Sequence, residues 1–434
     1  MNLQKNRHSL KTASAFRLIS HPACFLAAAF LLLTTACNRV SEPLVVWTEN
    51  AELASYAELF NASQSDIQVV VQYKENPYGD LPPAKDEKKP DLIIGASHRD
   101  NTACQHLLPL DYLFKEQNLS KTDFYQPLTE MGFSQGRQYM LPISFNMPAV
   151  IFSKESDPLI PDQYSLSLDE IRDAAVSFNT QKDNGLYTRM GFAPSWDSSF
   201  LYTAAKLNGI SFHETDGVLT WDTDALSRTV DYIRNWTLEC NSSTTSEQDY
   251  QFKYLNIPNL KWITGGDSLF AYTTSSELFS KAPEKLKDID YRWLQQDEKT
   301  PIEDTVIFIG LYRDSRKKRE AETFLLWILN ADNQKMMLEW NRKLNYVSDS
   351  FGICGGFSSL KKVNEQVFPI FYPMLMGNLP QESELTIPGT LPDRWDSMKE
   401  QVILPYLNDA TNTDTEDGTS SLEDRLTAWN KQYF

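Results

Sequence analysis

Short apolar runs of β-forming residues that alternate with amphipathic helical stretches predict an α/β protein built on parallel sheets. Leu44-Val45-Val46-Trp47 is the first such run. Asn50 follows and can cap a helix in which Leu53, Tyr56, Ala57 and Phe60 fall at i, i+3, i+4 and i+7. Ile67 to Tyr73 then alternates as a strand. Strand, helix and strand within about 30 residues make a βαβ unit, which implies parallel pairing and a right-handed crossover.

The later elements repeat the theme. Residues 76–90 are polar and proline-rich and close on the charge run Lys85 to Lys89, which reads as a solvated loop. Pro90 to Gly95 is a buried-type strand, and further strands are expected at Ala149–Phe152, Leu269–Tyr272 and Val306–Gly310. Ala321, Phe324, Leu325 and Ile328 mark a helix face. Residues 408–424 are polar and acidic, and a terminal helix from Ser421 to about Gln432 carries Leu422, Leu426 and Trp429 on one face. No internal repeat is visible.

The N-terminus has its own pattern. Lys5, Arg7, Lys11 and Arg17 precede an apolar run with no acidic residue before Glu42, and the run ends in Leu-Thr-Thr-Ala-Cys37. That is a positive n-region, an apolar core and a small-residue cut site. The run is too short for a bilayer span, which needs about 20 apolar residues. It resembles a bacterial lipoprotein signal over residues 1–36, with Cys37 lipidated and residues 37–42 a linker; the plainer alternative is an ordinary signal with an incidental cysteine.

Removing residues 1–36 takes away four positive and no negative charges and moves the formal net charge from −17 to −21. So acidic a chain repels nucleic acid and anionic lipid, leaving the N-terminal lipid as its membrane attachment. Nearly 400 residues exceed one core, so two domains are expected. Cys104, Cys240 and Cys354 show no CxxC spacing and read as small buried hydrophobes. His98, His106 and His213 are not spaced as metal ligands, and no metal or cofactor is expected.

Several stretches, in order, resemble the extracellular solute-binding proteins of carbohydrate-type ABC transporters, the family of maltose-binding protein. They are Leu44 to Glu49, Lys89 to Gly95, Leu108 to Asp111, Gly136 to Ser144 followed by Ala149 to Lys154, Trp262 to Ser275, and Asp314 to Trp327. The chain departs from the maltose binder in following its first strand with Thr48-Glu49-Asn50 and in lacking a tryptophan after Ile94. The resemblance implies a two-lobed (type II) periplasmic-binding-protein fold, with parallel-rich sheets flanked by helices and strands crossing between the lobes. It places lobe 1 at residues 43–147 plus 305–352 and lobe 2 at 148–304 plus 353–434. A small-molecule solute, most naturally a carbohydrate, would sit between the lobes of a monomer that meets a membrane permease.

Ligands of parallel α/β sheets bind beyond the carboxyl ends of strands, and pockets favour domain interfaces. Trp47 ends the first strand, where it either stacks on a sugar face or packs in the core. Glu49 can accept bonds from hydroxyls, while Asn50 contacts solute or caps the helix. Ser97 and His98 follow the Ile94 strand, His98 as a donor or as a solvated loop residue. The resemblance aligns Asn146 with a cleft carboxylate and likens Trp196 and Asp197 to an aromatic–polar contact pair. Thr274, Ser275 and Glu277 follow a strand and either face solute or start a helix. Trp395 stands where the family often places a C-terminal aromatic platform, with Arg394 beside it as the alternative contact.

A lipid-anchored receptor is therefore the leading expectation. A two-lobed lipoprotein without a transport role is the alternative. A secreted hydrolase stands behind both, since no GxSxG, HExxH or P-loop is present and no catalytic residue is expected.

Overall fold

The computed structural model describes residues 42–97, 101–116, 118–254, 256–343, 350–415 and 420–433. Cys37 and His98 lie outside the described residues. Pro43–Phe434 form one compact unit. No helix among the described residues is long and apolar enough to cross a membrane.

The strands come in order as β1 (Leu44–Thr48), β2 (Val69–Tyr73), β3 (Leu92–Ala96), β4 (Met140–Phe145), β5 (Pro148–Ser153) and β6 (Ser165–Leu166). Then follow β7 (Ala271–Thr274), β8 (Ile289–Leu294), β9 (Thr300–Pro301), β10 (Ile307–Leu311), β11 (Phe357–Ser358) and β12 (Leu385–Thr386). A six-stranded sheet runs β11-β4-β10-β3-β1-β2, and a four-stranded sheet runs β7-β5-β8-β6. β9 and β12 pair separately.

Helices used below are α1 (Glu52–Ser63), α2 (Leu168–Phe178), α3 (Ser198–Leu207), α4 (Thr223–Cys240), α5 (Thr244–Phe252) and α6 (Ser275–Phe279). After them come α7 (Lys318–Ile328), α8 (Ala331–Lys343), α9 (Leu404–Thr411) and α10 (Leu422–Tyr433). α1 buries Leu53, Tyr56, Ala57 and Phe60, the stripe its spacing predicts. α2 opens on a capping box between Ser167 and Glu170.

The sheets are mixed where parallel ones are expected. β1 is parallel to β2 and β3, but β10 lies antiparallel between β3 and β4. In the second sheet only β8 and β6 run parallel. The cause is topological. β4 passes straight into β5 of the other sheet through Asn146 and Met147, with no crossover helix, and β10 enters from the opposite side. Strands covered on both faces carry the same continuous apolar run whichever way they point.

Two further expectations shift. The strand expected at Leu269–Tyr272 starts at Ala271, because the amides of Leu269 and Phe270 both bond to the carbonyl of Gly191. The stretch after residue 352, expected with the second lobe, adds β11 to the first sheet beside β4. Phe357, Leu360, Val363, Phe368 and Leu385 join the core of Val46, Ile94 and Phe324. A second core gathers Phe200, Trp236, Trp395, Leu407 and Trp429. Cys104 and Cys354 are buried, as small hydrophobes are.

Candidate ligand-binding cleft

Register places one edge of each sheet at the same junction. Trp47 pairs with Ile93, Ala96 with Ile307, and Ile307 with Ser144, so β1, β3 and β4 end where β10 begins. In the second sheet Thr274 pairs with Pro148, so β7 ends where β5 starts. Asn146-Met147 and residues 295–306 join these two edges. The loops carrying Glu49, Ser97, Ser275 and Glu303 therefore gather at the junction, as the carboxyl-end rule requires.

On the first-sheet side Glu49 is fixed. Its Oε1 accepts from the Ala96 amide at 2.6 Å. Gly95 makes room for it, because a Cβ there would fall 2.2 Å from Glu49 Oε2. Asn50 acts as a cap: its Oδ1 accepts from the Glu52 amide at 2.9 Å. Ser97 is buried at the end of β3.

Trp47 is a correction to the stacking expectation. It is 0% exposed, with Lys74 Nζ 4.5 Å above its ring, and offers no face to a solute. A strand buried on both faces leaves its last aromatic inside the wall.

At the crossing, Asn146 Nδ2 donates to the Gly355 carbonyl at 3.0 Å, and its Oδ1 accepts from Ser275 Oγ at 2.6 Å. Ser275 Oγ also accepts from the Met147 amide at 3.1 Å, and the Ser275 amide donates to the Met147 carbonyl at 2.8 Å. Ser275 is fully buried. These two residues lock the joint; Ser275 is buried there, while Asn146 keeps partial exposure. Thr274 Oγ1 accepts from the Glu277 amide at 3.3 Å and caps α6, the helix-starting alternative.

The second-sheet side carries the accessible polar face. Trp196 is half-buried, and its Nε1 donates to the Glu247 carbonyl at 2.9 Å. Its ring lies 4.5 Å from that of Trp262 and stacks on Tyr250 at 6.1 Å. Asp197 accepts from the Ser199 amide at 2.8 Å and caps α3. Burial raises the Asp197 pKa, and the charge of Glu277 adds to the rise.

Glu303 keeps partial exposure while its carboxyl end is buried. Burial raises its pKa against the pull of Lys206 and Lys399, with Asp304 and Glu277 adding to the rise. Asp197, Glu277 and Glu303 all bear on Tyr272, whose hydroxyl meets Thr203 Oγ1 at 2.8 Å. The charges of three carboxylates from three separate segments thus act together on the buried Tyr272 hydroxyl.

Trp395 is the second correction. It is 0% exposed, its ring 5.3 Å from that of Phe212, and its Nε1 donates to Asp304 Oδ2 at 2.9 Å. The helical turn Trp395–Met398 rotates it into the core, so no platform faces the cleft. Its neighbour Arg394 instead lines an open cavity of about 900 Å³ together with Thr102, Trp221, Met398 and Trp429. A cavity of this size suits an organic ligand.

The sequence reading misses Glu52 and Glu303. Glu52 reads as an ordinary acid in a helix's first turn, and nothing in its neighbours signals burial. Glu303 sits in Ile302-Glu303-Asp304, which signals only a polar break between strands. Among the described residues no group of three or more His, Cys, Asp or Glu side chains could hold a metal ion.

The chain matches the family described as bacterial extracellular solute-binding protein over residues 46–335. No curated protein matches it in sequence. Among solved structures it is similar to the cyclic α-maltosyl-1,6-maltose binding protein of Arthrobacter globiformis. That likeness has 16% identity and a TM-score of 0.59, covering 90% of this chain and 98% of that one.

It is also similar to an extracellular solute-binding protein of Alicyclobacillus acidocaldarius, with 14% identity, a TM-score of 0.62, and coverage of 90% and 99%. The ABC substrate-binding protein of Listeria monocytogenes in complex with cycloalternan gives 15% identity, a TM-score of 0.56, and coverage of 89% and 96%. At these identities the likeness is one of fold, that of two-lobed α/β binding proteins. With the family match covering residues 46–335, the chain belongs to the bacterial extracellular solute-binding proteins.

Proposed function

We propose that this chain is the receptor of an ABC importer, holding a carbohydrate between two lobes and presenting it to a membrane permease. The observation that supports the reading is the gathering of the loops of Glu49, Ser275 and Glu303 at the junction of the two sheets, with Asp197, Glu277 and Glu303 all acting on Tyr272. Carboxylates in fixed positions suit a solute rich in hydroxyl donors. The solved neighbours named for cyclic maltosyl-maltose and cycloalternan favour a saccharide.

The lobes in this reading follow the two sheets, with residues 353–358 assigned to the first. Trp196 and Asp197 remain the proposed contact pair, and Arg394 takes the place of Trp395. Closure of the lobes would enclose the solute, with ligand favouring the closed state only through contacts made there. Cys37 carries the proposed lipid anchor, and the chain acts as a monomer without turning over its solute.

The test is a panel of gluco-, manno- and galacto-oligosaccharides, read by thermal unfolding and tryptophan fluorescence. At 100 times its Kd a cognate sugar adds about 2.7 kcal/mol of stability. That is a shift of several degrees, and the sugar should be recovered chemically intact. A panel that moves neither signal removes the carbohydrate assignment, and a cleaved sugar removes the receptor assignment.

A further inference from the structure

Although the chain carries a formal net charge of −17, one groove in it is wholly cationic. The groove has a volume of about 560 Å³ and is lined by Lys154, Lys281, Lys287 and Arg342, with no acidic side chain in its walls. Those walls come from both sides of the fold. Leu338, Asn341 and Arg342 belong to the last turns of α8, and Phe371 to Met374 follow β11. Phe279 to Lys287 make the connection from α6 to β8. Lys154 directly follows β5, about 20 Å of strand away from the junction where Pro148 begins it. The groove therefore extends away from the solute cleft.

Its floor is apolar and fixed. Phe279, Leu286 and Leu338 are buried. The Phe279 ring lies 5.0 Å from that of Phe351 and 6.1 Å from that of Tyr372, whose hydroxyl accepts from the Gly352 amide at 2.8 Å. Phe371, Tyr372 and Met374 keep partial exposure along it. A preformed slot of this volume, mostly apolar with a few polar groups, has the build of a small-molecule site.

The charges have no counterpart inside the fold. Among the described residues neither Lys281 nor Arg342 forms an ion pair, and both are exposed. Lys154 Nζ donates to the Lys287 carbonyl at 2.6 Å, and Lys287 reaches only Asp288, at 3.6 Å on the open surface. Arg342 stands in the last turn of α8, where the helix dipole accounts for a cation. That does not account for Lys154, Lys281 and Lys287, which come from other segments. Like charges gathered over low-dielectric walls raise the local potential and draw in an anion.

We propose that this groove is a second binding site, taking an organic anion with an apolar body, a single-chain fatty carboxylate. Charge complementarity selects the carboxylate, and the floor of Phe279, Leu338 and Met374 selects the chain. The volume takes one chain and not the two of a membrane phospholipid. The site lies apart from the cleft, so it does not rest on the carbohydrate reading.

The test is calorimetric titration of the purified chain with decanoate below its micelle concentration. One molecule per chain should bind with a Kd in the micromolar range. Decanol, the same chain without the charge, should bind at least tenfold more weakly, and butyrate, the charge without the chain, should give no heat. Raising salt from about 0.05 to 0.5 M should weaken decanoate severalfold. Lys281→Gln combined with Arg342→Gln removes two exposed charges and should lower decanoate affinity at least tenfold while leaving decanol unchanged. Met374→Trp, which fills the slot, should weaken both; the double variant decides the matter should this one not fold. Absence of saturable decanoate binding, equal affinity for decanol, or unchanged affinity in the double variant overturns the site. Sedimentation with anionic-lipid vesicles that the double variant abolishes, without decanoate binding in solution, assigns the cations to a membrane surface and likewise overturns it.

Discussion

Lys206 and Asp304 form an ion pair of 3.0 Å beneath the joint between the two sheets, with the Asp304 side chain 2% exposed. Lys206 Nζ also donates to the Ile302 carbonyl at 2.6 Å, while Lys399 reaches Asp304 at 3.3 Å and Trp395 donates to it. One carboxylate therefore ties α3, the crossing segment and the C-terminal region together. Removing one partner of a buried pair leaves the others charged and unpaired, which costs about 3–5 kcal/mol. Asp304→Ala should lower stability by that amount in urea unfolding.

Asp304 also sets the acid response. Burial works to raise its pKa, but Lys206, Lys399 and the Trp395 indole hold it well below the usual carboxylate range. A depressed carboxylate stabilises the fold above its unfolded pKa, and that contribution fades as pH falls toward the folded value. Between about pH 5 and 3 the wild type should therefore lose stability more steeply than Asp304→Asn, which has no proton to take up. Equal slopes would show that Asp304 carries no such linkage.

Trp395→Phe separates the two readings of that position. The indole is buried against Phe212 and spends its N–H on Asp304. Phenylalanine keeps most of the packing and loses one hydrogen bond to a charged group, about 1.5–3 kcal/mol. Stability should fall by that order while affinity for any identified sugar stays within twofold. A tenfold loss of affinity with unchanged stability would restore Trp395 as a solute platform.

Trp395 also shows where sequence stops informing structure. The periodicity of α1 is complete in its own twelve residues, so Leu53, Tyr56, Ala57 and Phe60 could be assigned to the core from spacing alone. Trp47 and Trp395 carry no such local information. Whether an aromatic at an element's end faces a cleft or a core is decided by segments far away, here Lys74 and Asp304. Asn146 and Ser275 were legible as residues at strand ends, but their bond spans 129 positions of sequence and turns both inward. Strand direction was hidden for a related reason: an apolar run such as that of β10 reads alike in either sense. Glu52 and Glu303 escaped notice because desolvation of a carboxylate is a tertiary effect with no sequence signature.

Gly95→Ala tests the first-sheet side of the cleft without touching a polar group. The glycine lies at the end of β3, where a methyl would fall 2.2 Å from Glu49 Oε2 and 2.5 Å from Pro77 Cγ. Proline is rigid, so the carboxylate must give way, and its bond to the Ala96 amide at 2.6 Å breaks or lengthens. Overpacking of this kind costs about 1–3 kcal/mol. If Glu49 faces the solute, the variant should also bind an identified sugar at least tenfold more weakly, and Glu49→Gln, which retains the acceptor oxygen, should lose less. A Gly95→Ala protein that is destabilised yet binds normally would confine Glu49 to a structural role and leave solute contact to the Asp197, Glu277 and Glu303 side.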